Sequence, residues 1–187
     1  KYLLSLKAQL IMARRSTLIA VLAAGALALG AGIYFGAERF GTSTEARPSA
    51  ATLLALTLPD PAGKSESLAQ WKGKLLIVNF WATWCSPCRE EMPEFVRVQQ
   101  EFGGKGLQFV GIAVDEAGKV QEFATEIGLN YPSLIGGYGA MELSRTLGNS
   151  VMALPFTVVV ARDGTIAHTQ LGPLREDKLR AMIGKLI

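Results

Sequence analysis

Cys85 and Cys88 are the only two thiols in the chain, and they stand three positions apart with Ser86-Pro87 between them. Thiols at that spacing can hold a metal, form a structural crosslink or exchange disulfides, and their setting separates these chemistries. Upstream is Leu75-Leu76-Ile77-Val78-Asn79-Phe80-Trp81, a nearly continuous apolar run of strand length. Downstream, residues 85–102 carry a helical pattern with an interruption or kink expected at Pro93. A C-x-x-C that closes a core strand and opens a helix reads as a redox pair. The first sulfur faces unpaired backbone N–H groups and the positive end of the helix dipole. Both favour thiolate, lowering the pKa from about 8.5, and thiolate is the species that attacks a disulfide. Cys88, one turn on, is placed to resolve the mixed disulfide. Pro87 suits the first helical turn, Arg89 is expected to add positive charge near the sulfurs, and Glu90 and Glu91 complement the helix start. Structural zinc needs four ligands, whereas the chain offers two thiols and one remote histidine, His168. A purely structural crosslink would close so small a loop that it removes little unfolded-state entropy.

The elements that must position this pair follow from hydrophobic pattern. Leu53, Leu54, Leu56 and Leu58 read as a short strand closed by the turn cluster Pro59-Asp60-Pro61-Ala62-Gly63. Residues 67–71 read as one helical turn. Leu107-Gln108-Phe109-Val110-Gly111-Ile112-Ala113-Val114 is a second core strand, followed by a helix over about 120–127 stopped by Gly128. An extended piece at 131–135, a helix at 141–147, a third apolar strand at 156–160 and its hairpin partner at 166–171 across Asp163-Gly164 come next. An amphipathic helix at 176–186, with Leu179, Ile183 and Leu186 on one face, ends the chain. This order predicts an α/β layered fold with a mixed central sheet. His168 reads as a solvated strand residue, Trp81 as core, and Trp84 as a partly exposed apolar surface facing substrate. Gly136-Gly137-Tyr138-Gly139 lacks the strand–turn–helix context of a dinucleotide loop and reads as a flexible turn.

Residues 1–47 carry six basic and two acidic side chains, and the remainder 13 basic and 14 acidic, so the net +3 belongs to the N-terminal stretch. The near-neutral remainder has no basic stripe for nucleic acid. Residues 16–35, STLIAVLAAGALALGAGIYF, are uncharged and about long enough to span a bilayer as a helix. Arg14 and Arg15 precede them, which keeps residues 1–15 cytoplasmic and sends the C-terminal bulk across the membrane. A cleaved signal peptide, with Ala26-Leu27-Ala28 as its small-residue site, is the competing reading, although the apolar run continues past that site. Met12-Ala13-Arg14-Arg15 looks like a natural start, so residues 1–11 are expected to be non-native. Residues 36–51 read as a flexible linker and 52–187 as the catalytic domain.

The run Val78-Asn79-Phe80-Trp81-Ala82-Thr83-Trp84-Cys85-Ser86-Pro87-Cys88-Arg89-Glu90-Glu91-Met92-Pro93 resembles the TlpA/ResA-like branch of the thioredoxin superfamily. So do Leu68-Ala69-Gln70-Trp71-Lys72-Gly73-Lys74 and Leu154-Pro155-Phe156-Thr157, and the likeness covers the whole domain. It implies a thioredoxin-like fold with extra N-terminal strands, an extracytoplasmic location and a disulfide-reducing role, with Cys85 and Cys88 as the redox pair and no other cofactor. Thioredoxin has a buried Asp where this chain has Asn79. The branch has instead a Glu at the end of the next strand, which implies that Glu116 moves a proton to or from Cys88; the alternative is an exposed acid capping the next helix. For Pro155 the sequence alone favours trans. The resemblance implies cis, facing the cysteines, with the backbone of Leu154 pairing with an extended substrate segment. Family substrates include apocytochrome c and copper-site proteins among exported proteins. The pair is re-reduced, by analogy, through a membrane thiol-electron transporter of the DsbD/CcdA kind. A copper metallochaperone on a related fold is the alternative. Proteins of that kind, resembling the Sco family, use C-x-x-x-C with a placed histidine, whereas this chain has C-x-x-C and only His168. A peroxidase of the peroxiredoxin kind is a third reading, against which the chain lacks a P-x-x-x-T-x-x-C setting.

Overall fold

Three apolar runs build the centre of the molecule. A computed structural model of the chain describes residues 50–187, and Gly25 alone before them. The expected cytoplasmic segment 1–15, the span 16–35 apart from Gly25, and nearly all of the linker 36–51 lie outside the described residues. Among those described, no helix is long and apolar enough to cross a membrane.

The elements are α1 (Ala51–Leu54), β1 (Thr57–Pro59), β2 (Ser65–Ser67), β3 (Leu75–Trp81), α2 (Ser86–Phe102), β4 (Leu107–Ala113), α3 (Ala117–Glu126), β5 (Ser133–Ile135), α4 (Gly137–Thr146), β6 (Phe156–Val160), β7 (Ile166–Leu171) and α5 (Glu176–Leu186). Short 3-10 turns occupy Leu68–Trp71 and Gly103–Lys105. The main sheet has the order β5-β4-β3-β6-β7. β3, β4 and β5 run parallel, while β6 is antiparallel to both β3 and β7. This is the mixed sheet that the apolar runs predict. Every residue of β3 is buried, because both faces are covered. Leu75, Ile77 and Trp81 join one core with Phe95 and Val98 of α2, Phe123 of α3 and Leu179 and Ile183 of α5. Leu76, Val78 and Phe80 join the other, with Leu53, Leu68, Trp71 and Ala140. The strand's period-two alternation separates the two layers.

β1 and β2 form a separate antiparallel pair, Thr57 opposite Ser67 and Pro59 opposite Ser65, the extra N-terminal strands of the resemblance. The Leu53–Leu58 pattern nevertheless departs from one strand: Ala51–Leu54 is a helical turn, and only Thr57–Pro59 is extended. The Ala50 N–H donates to the Gly164 carbonyl (3.1 Å) at the β6–β7 turn, which holds the helical turn where Leu53 enters the core. β2 carries no apolar signature, since Ser65-Glu66-Ser67 is polar, and its pairing arises from the turn before it. There Asp60 Oδ1 accepts the Ala62 and Lys64 amides (both 2.9 Å). The helix over 86–102 runs unbroken through Pro93. The glycine cluster at 136–139 is no flexible turn: α4 begins at Gly137. A side chain at Gly136 would meet the Ala140 Cβ at 2.6 Å and the Ile112 Cγ2 at 2.7 Å, so glycine here serves close packing of α4 on β4. His168 pairs with Val159 in the β6–β7 ladder. It is half-buried, with Nε2 lacking a partner, rather than solvated.

Candidate active site

The cysteine loop is fastened from both sides. The Cys85 amide donates to the Ala82 carbonyl (3.2 Å), and Asp115, at the end of the neighbouring strand, accepts the Thr83 amide (3.0 Å) and the Thr83 hydroxyl (2.5 Å) on one oxygen. Its other oxygen accepts the Glu116 amide (2.8 Å). Burial pushes the Asp115 carboxyl up, but the bonds from Thr83 and Glu116 outweigh it and hold the group below the ordinary carboxylate range.

Cys85 is the N-cap residue of α2, with extended backbone, and its Sγ accepts the Cys88 N–H at 3.3 Å. A sulfur thus occupies the place that a Ser or Asp oxygen takes at most helix starts. The structure holds the pair oxidised, with Sγ–Sγ 2.02 Å and Cα–Cα 5.3 Å. Cys88 is fully buried behind it, and Cys85 is almost so. The positive charge expected from Arg89 is turned toward α3, where its guanidinium sits 4.7 Å over the Phe123 ring and 3.5 Å from Glu126. Glu90 accepts from the Ser86 hydroxyl (3.3 Å) at the surface.

Glu91, expected with Glu90 to complement the helix start, instead faces the interior behind the cysteines. Its side chain is completely buried. Asn79 Nδ2 donates to one carboxyl oxygen (2.9 Å) and the Leu174 amide to the other (2.7 Å). Asn79 Nδ2 also reaches Thr157 Oγ1 (3.1 Å), which leaves its own Oδ1 without a partner. Burial raises the Glu91 pKa to about 7 against the opposing pull of those two donors. Where thioredoxin has a buried Asp this chain has Asn79, and its buried acid stands on α2, three residues after Cys88. A signal was present. Cys88, Met92, Phe95 and Val98 form the buried stripe of the helix, and an acid at position 91 falls inside it at i+3.

Glu116 lies elsewhere. It is the N-cap residue of α3 without a side-chain cap bond, its side chain is 78% exposed, and Lys119 is its partner at 3.2 Å. Together with Trp84, Val114, Asp115, Lys119, Gly137 and Tyr138 it lines a cleft of about 500 Å³. Trp84 is 69% exposed there and Tyr138 is 94% exposed, whereas Trp81 is core, its indole N–H donating to Ser133 Oγ (3.0 Å).

The Leu154–Pro155 bond is cis, the geometry that the resemblance implies against the trans default. β6 pairs with β3 through Phe80 opposite Phe156. Leu154 and Pro155 directly precede β6 at that end of the ladder, and Leu154 packs against the core cluster that contains Cys85 and Cys88. The structure therefore brings Cys85, Cys88, Leu154 and Pro155 to one end of the central strands.

A five-stranded mixed sheet whose central strand feeds a Cys-x-x-Cys helix start defines a thiol–disulfide oxidoreductase of the thioredoxin superfamily. Residues 45–183 match the Redoxin family. ResA of Bacillus thuringiensis subsp. konkukian, a thiol-disulfide oxidoreductase, is 30% identical over 128 residues, covering 68% of this chain and 72% of ResA. The thioredoxin-like protein YneN of Bacillus subtilis is 34% identical over 122 residues, 63% of this chain and 68% of its own. Among solved structures, a thiol:disulfide interchange protein from Chlorobium tepidum superposes with a TM-score of 0.67 at 28% identity, covering 75% of this chain and 96% of that one. The chain belongs to the Redoxin family and is a ResA/TlpA-like member of it.

Proposed function

We propose that the chain is a membrane-anchored reductase of disulfides in exported proteins. The observation that carries the reading is the Cys88 N–H donating to Cys85 Sγ at the first turn of α2, because it favours a thiolate at the sulfur that must attack. In the reduced form, Cys85 thiolate attacks one sulfur of a substrate disulfide. A Cys85–substrate bond forms, the substrate S–S bond breaks, and the departing thiolate takes a proton. Cys88 then loses its proton and attacks Cys85 Sγ, releasing the second substrate thiolate and closing the Cys85–Cys88 bond. Two electrons pass from the pair to the substrate, and no cofactor beyond the pair is needed.

The buried Glu91, one helical turn from Cys88, is the group suited to accept the Cys88 proton, since its pKa is near neutrality. This role passes to it from Glu116, whose carboxylate is in solvent. Trp84 offers apolar surface to the substrate, and Leu154 its backbone. The uncharged span 16–35 behind Arg14 and Arg15 supports a cytoplasmic-membrane anchor with the domain on the extracytoplasmic side. Such a domain would draw electrons from a membrane transporter of the DsbD/CcdA kind and act on apocytochrome c or copper-site proteins. Reduction of insulin by the purified chain with a thiol donor tests the chemistry, and full activity in Cys85→Ser would end this reading.

A further inference from the structure

Asn149 takes no part in the chemistry above, yet its side chain is fully buried and every polar atom of its amide group is engaged. Nδ2 donates to Ser144 Oγ (3.0 Å) and to the Ala153 carbonyl (2.8 Å), and Oδ1 accepts the Ala153 amide (3.1 Å). The Ser144 hydroxyl passes on to the Met141 carbonyl (2.7 Å), so the network is rooted in α4. One side chain thus satisfies both backbone groups of Ala153, as a neighbouring strand would. At the next residue the situation reverses: neither the N–H nor the C=O of Leu154 has a hydrogen-bond partner among the described residues.

The segment between is held in an unusual shape. Met152 has φ 52°, the one non-glycine residue with positive φ among the described residues. Such a conformation persists only where the surroundings impose it, and here the Met152 amide is tied to the Asn149 carbonyl (3.0 Å). The outcome is that Val151 and Met152, 67% and 42% exposed, display apolar side chains next to the free backbone of Leu154. Residues 146–161 contain no charged side chain, so this edge offers nothing to a charged partner and favours an apolar one.

We propose that Asn149 is a positioning residue for substrate binding: it presets residues 151–154 to receive an extended, apolar segment of a protein substrate. The proposal rests on the reductase reading and adds the chemistry of the segment that the site takes. A strand laid along Leu154 satisfies that residue's open donor and acceptor, while Val151 and Met152 cover its apolar side chains. The Ala153 backbone, already occupied, limits pairing to Leu154 and so sets the register.

The test compares steady-state reduction of insulin by the full chain supplied with dithiothreitol with single-turnover reduction of a small disulfide, dithiobis(nitrobenzoate), by the pre-reduced full chain freed of dithiothreitol. Asn149→Ala raises the KM for insulin by about tenfold while kcat moves by less than about twofold, and the small disulfide, which needs no strand pairing, is reduced at a near-parental rate. A purely structural role would lower both activities together, and that result overturns the proposal. Should Asn149→Ala fail to fold, the surface pair Val151→Ser with Met152→Ser decides: the same insulin-selective rise in KM supports the proposal, and an unchanged KM overturns it. Ile187→Ser, an exposed apolar residue outside this edge, is the control. Activity of Cys85→Ser in the same assay reports on the underlying reading separately.

Discussion

Two helix starts lie side by side at the ends of the parallel strands β3 and β4, and the chain equips them in opposite ways. At the start of α2 the cap is the sulfur of Cys85, buried and bonded to the Cys88 N–H. At the start of α3 the cap position holds Glu116, whose carboxylate reaches only Lys119 and solvent. Both starts carry the partial positive charge of a helix N-terminus. Only at α2 is water excluded, so only there does that charge act at full strength on a reacting group. The acids repeat the contrast. Glu91, one turn into α2, is buried with a pKa of about 7, while the acid at α3 has no such surroundings. Position at a helix start is common to both; burial assigns the chemistry.

The largest expected effect comes from replacing the capping sulfur. Cys85→Ser should lower insulin reduction by about a thousandfold or more, measured as turbidity of the released chains. Cys88→Ser should instead accumulate the mixed disulfide, visible by mass spectrometry after quenching with acid.

Glu91→Gln tests the buried acid in two ways. In the pH profile of insulin reduction, the ionisation near neutrality should disappear. In stability the sign is also determined. The folded pKa of about 7 stands above the ordinary 4.5, so the folded chain holds a proton that the unfolded chain releases. The stabilisation is fully present below about pH 4.5 and is lost as pH rises through about 7, a span worth about 3 kcal/mol. Melting temperatures between about pH 4 and 8 should fall in the parent and change much less in Glu91→Gln. Rotation of the Asn79 amide, whose Oδ1 has no partner, lets the new glutamine donate. Parallel curves for the two proteins would remove Glu91 from the contrast.

Asp115→Ala comes next. Loss of the acceptor for the Thr83 amide, the Thr83 hydroxyl and the Glu116 amide should destabilise the chain by about 1–2 kcal/mol, read by urea denaturation. The pH profile of Cys85 alkylation should shift upward as the loop before it loosens. Smallest of all, Glu116→Gln should leave the pH profile of insulin reduction unchanged and its rate within about twofold. A displaced profile would show that the exposed start of α3 takes part in proton transfer after all.

Much of this molecule follows from local pattern. The apolar runs at 75–81, 107–113 and 156–160 become β3, β4 and β6 because strands covered on both faces need continuous burial. The C-x-x-C pair becomes a helix cap because it follows one of them, and Asp163-Gly164 turns the β6–β7 hairpin. Elements whose stability comes from distant partners are hidden from such reasoning. Ser65–Ser67 is a strand only because β1 lies beside it, and Ala51–Leu54 coils because Ala50 is tied to Gly164 across the fold. The site divides along the same line. Spacing and flanking residues are properties of the chain itself, so Cys85 and Cys88 can be read from it directly. Which acid loses its water is decided only when α2 packs on β3, β6 and the segment before α5, because desolvation depends on every atom that surrounds a carboxyl and not on its neighbours in sequence. The apolar stripe of α2 points to position 91, but only tertiary structure supplies the burial that separates Glu91 from Glu116, and Asn149 from any other loop amide.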